Sequence, residues 1–95
     1  MRITEPIRQF FVEEIGKIDP RAEVYLFGSR TDDLARGGDI DILILSEERI
    51  PSNSIRILRR EFFKSFGWQK LDLVNFLFNE EDPFKNLILN QLVRL

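Results

Sequence analysis

Three aspartates stand where apolar residues would be expected. Asp39 and Asp41 are two residues apart in GGDIDILIL, residues 37–45, and lead into Ile42, Leu43, Ile44 and Leu45. Asp72 sits among Leu71, Leu73 and Val74 in KLDLVNFLF, residues 70–78. In a strand, residues i and i+2 share a face, so Asp39 and Asp41 project together. Two anions so close repel, and burying either beside Ile40 and Ile42 is costly unless it is paired. A divalent cation removes both problems. Carboxylate oxygens suit Mg²⁺ or Mn²⁺, and Mg²⁺ typically takes one or two carboxylates plus substrate phosphates. If the strand of Asp72 neighbours that of Asp41, the three form one cluster, the set a two-metal phosphoryl or nucleotidyl transfer centre needs. Taken singly, Asp39 reads as the close of a loop after Gly37-Gly38 and Asp72 as an edge-strand charge. Asp41, inside the strand, is harder to place that way.

Gly28-Ser29 follows the apolar run EVYLF. Backbone N–H groups at a strand-to-helix junction can cradle phosphate, glycine permits close approach, and the hydroxyl can donate. Arg30 and Arg36 are near enough in sequence to reach a triphosphate. By itself a Gly-Ser pair is equally a turn and a helix cap.

The elements that must position these groups follow from periodicity and punctuation. Thr4, Glu5 and Pro6 mark a helix start, and Ile7, Phe10, Phe11, Ile15 and Ile18 recur at helical spacing until Asp19-Pro20. Glu23 to Phe27 reads as a strand, residues 30–38 as a helical turn or two and a loop, and Asp39 to Leu45 as the second strand. Pro51, Ser52 and Asn53 open a helix striped by Ile55, Leu58, Phe62 and Phe66 and closed by Gly67. Lys70 to Phe78 is the third strand. Asp82-Pro83 starts a last helix, with Leu87, Ile88, Leu92 and Leu95 as one stripe, widened by Leu89 and Val93. The order α-β-α-β-α-β-α predicts an α/β or α+β fold, a small mixed sheet flanked by helices, in a single domain over residues 1–95. The first two strands are joined too closely for a full crossover helix and should be antiparallel. The second and third, separated by a long helix, can run parallel.

Composition narrows the chemistry. The 95 residues hold no cysteine and no histidine, which removes disulfides, thiolate sites and imidazole bases or ligands, and leaves carboxylates for acid–base or metal work. A net charge of -2 does not suggest a general nucleic-acid binder. The cations Arg56, Arg59, Arg60 and Lys64 on the third predicted helix read as a solvated face, or as the one local patch that could bind nucleic acid. No apolar run approaches the ~20 residues of a membrane helix and the amino terminus lacks a signal-peptide h-region, so a soluble, cytoplasmic protein is expected.

The run GSRTDDLARGGDIDILI resembles the signature of the minimal nucleotidyltransferases of the DNA polymerase beta superfamily. That signature is a Gly-Ser turn, a short spacer, Asp-x-Asp between hydrophobics and a third carboxylate on a later strand. Here nine residues separate Ser29 from Asp39, and Asp72 takes the third place. The resemblance implies that Gly28, Ser29 and Arg30 meet the nucleotide and its phosphates. It implies that Asp39 and Asp41 bind the Mg²⁺ escorting the triphosphate, ATP or another NTP. Asp72 would join them at a second metal that activates the acceptor hydroxyl.

Larger relatives add a second domain for base or acceptor, so a partner is expected to complete this site. Minimal members are typically paired with a HEPN-domain protein as antitoxin and toxin, the antitoxin binding an RNase and in some cases transferring AMP to a tyrosine. Transfer to such a partner is the leading expectation, and an antitoxin that neutralises by binding alone is the alternative. The face of Leu87, Ile88, Leu89, Leu92 and Val93 is read either as a docking surface or as core or homodimer packing.

Overall fold

Helix α1, Glu5–Ile18, begins where Thr4 supplies a cap, its hydroxyl oxygen accepting from the Ile7 N–H at 3.4 Å, with Pro6 in the first turn. It ends as the Asp19 N–H closes on the Ile15 carbonyl at 2.9 Å. Its inner face buries Phe11 and Ile15 completely. The computed structural model describes residues 3–28 and 39–95. The helical turn expected between the first two strands, with Ser29, Arg30, Arg36, Gly37 and Gly38, lies outside the described residues.

Strands β1 (Glu23–Phe27), β2 (Ile40–Ser46) and β3 (Leu71–Leu77) join a short β4 (Val93–Arg94) in one sheet of order β3-β2-β1-β4. The first pair is antiparallel and the β2–β3 pair parallel, as the connection lengths imply. Central position explains the composition of β2. Ile40, Ile42 and Ile44 pack under the helices, Leu43 and Leu45 fill the opposite face, and no side chain of β2 except that of Asp41 avoids burial.

Helix α2, Ser52–Phe66, lies beside α1 on the first of those faces and buries Leu58 and Phe62. Phe11 and Phe62 stack at 5.2 Å between centroids, and Phe10 meets Phe62 and Phe66 edge-on at 5.8 and 5.6 Å. Each such ring contributes roughly 1.5–3 kcal/mol by burial. Gly67, at φ 81°, turns the chain out of the helix toward β3, its N–H donating to the Phe63 carbonyl at 2.9 Å.

The carboxyl end of the sheet is locked by polar groups. Asn75 donates to the Ile44 carbonyl (3.1 Å) and Ser46 Oγ (3.0 Å) and accepts from the Ile50 N–H (2.8 Å), fixing the β2–α2 turn to β3. Lys85, only 6% exposed, donates to the carbonyls of Leu77, Phe78 and Glu80 at 2.8–3.0 Å. Asp82 caps α3, accepting from the Phe84 N–H at 2.8 Å.

One expectation is corrected here. The last helix does not run to Leu95: α3 spans Pro83–Ile88, a 3-10 turn covers Leu89–Gln91, and the chain then becomes β4 against β1. Leu92 falls in extended backbone, and the Leu95 N–H bonds the Val24 carbonyl at 2.9 Å. An exposed β1 edge offers unpaired backbone groups, and pairing them outweighs the helical periodicity of the leucines. The predicted apolar face is accordingly divided. Ile88 is core, Leu92 and Val93 are partly buried, and Leu87 and Leu89 are exposed.

Candidate functional site

The carboxylates sit at the end of the sheet opposite the Asn75 and Lys85 locks. Register, not proximity in sequence, assembles them. Asp41 faces Asp72 across the parallel pair and Phe27 across the antiparallel pair, so the start of β2, the start of β3 and the end of β1 converge. Strand alternation sends Ile40 and Ile42 beneath α1 and α2 and turns Asp41 and Asp72 to the other face, which α3 covers only farther along.

Asp41 is half-buried and Asp72 exposed. Burial, then a hydrogen bond with the Asp72 carboxyl and the charges of Asp72 and Asp39, push the Asp41 pKa up to about 6, against a smaller opposing pull from Lys70. Asp39 precedes β2 and lies beside it, with Lys70 Nζ 3.5 Å from its Oδ2. The Ile40 N–H donates to the Lys70 carbonyl at 3.0 Å, which sets this register.

Gly28 adopts φ 77°, and a Cβ built there would collide with Asp41 Oδ2. Glycine is therefore required twice over, for backbone conformation and for room. Gly28, the first residue of the turn expected to hold phosphate, thus lies against the Asp41 carboxylate. Ser29 and Arg30, expected beside it, lie outside the described residues.

The donor set is all oxygen, which suits Mg²⁺ or Mn²⁺ rather than a thiolate or imidazole metal. Asp41 and Asp72 fit a cation, which would relieve the mutual repulsion that helps to raise the Asp41 pKa. Among the described residues, no group of three His, Cys, Asp or Glu side chains is gathered as a ready ligand set. Two of the three aspartates converge, and Asp39 faces Lys70.

Sequence reasoning singled out the three aspartates and missed Lys70. Its signal was legible: a cation two residues before Asp72, at the mouth of the same strand.

The described residues contain no helix long and apolar enough to cross a membrane. The architecture is a mixed α/β sheet with paired carboxylates beside a glycine turn, the frame of a nucleotidyltransferase. The chain belongs to the nucleotidyltransferase domain family, whose sequence model matches residues 8–95. The activity this supports is transfer of a nucleoside monophosphate, in general terms. A comparison with curated proteins gave no match.

Proposed function

We propose that this chain transfers AMP from ATP, with Mg²⁺, to a tyrosine hydroxyl of a partner protein, a HEPN-domain toxin, and so acts as its antitoxin. The observation that carries the reading is the contact of Asp41 with both Gly28 and Asp72. It sets the carboxylate pair beside a glycine of positive φ at the end of β1. The family supports nucleotidyl transfer, and the resemblance of the Gly-Ser and Asp-x-Asp run to minimal nucleotidyltransferases supports the partner.

Asp41 and Asp72 would hold the cation, with Asp39 joining once its carboxylate leaves Lys70. Mg²⁺ bound there neutralises phosphate charge and lowers the pKa of an acceptor hydroxyl. Gly28, with no side chain, would let a phosphate approach the backbone at the end of β1. Asp72, exposed at the start of an edge strand, faces the side from which an acceptor can approach. Below about pH 6 Asp41 would have to give up a proton for the site to bind a cation, so binding and proton release are coupled there.

The test combines the protein, labelled ATP, Mg²⁺ and the product of the gene beside its own, with added AMP read as mass. Asp39→Ala combined with Asp41→Ala should abolish transfer; label surviving that double change would overturn the metal assignment. A second reading is favoured by one observation, that no three His, Cys, Asp or Glu side chains among the described residues form a ready ligand set. In it the chain neutralises its partner by binding alone. A tight complex in both variants, with no AMP added by either, selects that reading.

A further inference from the structure

We infer that the outer flank of α2, with Trp68 and Lys70, is the docking surface for an acidic region of the acceptor protein. The inference rests on the proposed protein acceptor and adds where it binds and with what chemistry. At about 100° per residue, Arg59, Phe63, Arg56, Arg60 and Lys64 occupy one arc of α2. The core residues Leu58 and Phe62 lie to one side of that arc. The opposite flank, with Ile57 and Glu61, meets Glu14, Lys17 and Ile18 of α1. The cationic arc therefore points away from α1.

Arg56, Arg60 and Lys64 are exposed, and Arg59 buries an Nε that makes no hydrogen bond. Among the described residues the only carboxylate paired with this arc is that of Glu61, at 3.7 Å from Arg60. Trp68 is 79% exposed, with its ring resting on Phe63 at 6.5 Å, and it is the chain's one tryptophan. It follows the Gly67 bend and stands two residues before Lys70, whose Nζ meets Asp39. Trp68 and Lys70 thus stand in the segment that leads from α2 to the exposed Asp72.

Exposed Trp with Arg is the composition of an interface anchor. Surplus positive charge on a chain of net charge -2 selects a partner whose facing surface is acidic. A protein fits better than a nucleic acid, because an exposed Trp beside Arg side chains is the anchor of a protein interface and a chain of net charge -2 does not suit a general nucleic-acid binder.

Trp68 fluorescence reads this surface directly, without nucleotide or catalysis. The full chain is titrated with a Glu/Asp-rich peptide free of Trp and Tyr, and in parallel with a single-stranded oligonucleotide of equal charge. A saturable change with the peptide is expected, weakened about tenfold or more in Arg60→Glu/Lys64→Glu. It should persist, no weaker, in Asp39→Ala/Asp41→Ala, which removes two carboxylates that repel the peptide. Circular dichroism of the charge-reversed protein, with Arg60→Gln as a milder variant, separates lost docking from lost fold. No saturable change with the peptide, or equal or tighter binding of the oligonucleotide, overturns the inference. Peptide binding without any AMP transfer leaves the surface standing and defeats the transferase reading. Undiminished AMP transfer to the partner by the charge-reversed protein defeats the surface alone.

Discussion

Gly28 and Asp41 occupy adjoining space at the junction of β1 and β2, such that any side chain at position 28 would enter the volume held by Asp41 Oδ2. The turn and the carboxylate are therefore one structural unit, joined through the Phe27–Asp41 pairing.

Replacing that glycine tests the unit. Gly28→Ala meets a positive φ and a collision together, and should cost about 2 kcal/mol or more of stability. Urea denaturation measures the loss. Nucleotide binding by the fraction still folded should also fall, because Asp41 must move to admit the methyl group.

Asp41 carries a pH signature of definite sign. Its pKa is raised from 3.8 to about 6, so its protonated form contributes stability that is fully present below the unfolded value and lost as pH rises through about 6. Asp41→Asn should remove that dependence and, near neutral pH, stabilise the fold by on the order of 1 kcal/mol, reduced by solvent screening. Melting temperatures of the two proteins at pH 5 and pH 8 compare directly, with the gap opening at the higher pH. Mg²⁺ should narrow it by stabilising only the wild type.

The Lys70–Asp39 pair is a competitor for cation binding. Both side chains are substantially exposed, so the contact is weak and readily exchanged. Lys70→Ala should remove a competing cation from beside Asp39 and tighten Mg²⁺ binding by about two- to fivefold, measured by calorimetry at low ionic strength. Unchanged or weaker binding would show that Asp39 does not join the ion.

Lys85 should prove structural rather than catalytic. Lys85→Met keeps the apolar stem but leaves three carbonyls without their shared donor, at a cost of about 3 kcal/mol. Denaturation detects this, while transfer per folded molecule should hold, since the residue lies at the far end of the sheet from Asp41.

The comparison of Asp72 with Lys85 shows what can be read from a linear chain. Asp72 interrupts an apolar run, and an anomaly of polarity is visible wherever the surrounding period is strong. Lys85 stands in a polar helix start, where a lysine is ordinary, and only the fold reveals that it closes over three carbonyls. The tail misled for a related reason. Leu87, Ile88, Leu92 and Leu95 keep helical spacing, but the open β1 edge recruited residues 93–94 as a strand.

Local sequence determined the strands, the two long helices and the apolar central strand. Those depend on side-chain period, capping and turn residues within a few positions of one another. Tertiary structure decided that Asp41 meets Asp72 while Asp39 turns to Lys70, because parallel register and cross-strand charge are set by pairing between distant segments. It also decided that Gly28 must be glycine, since the atom that excludes a side chain there belongs to a residue thirteen positions away in sequence.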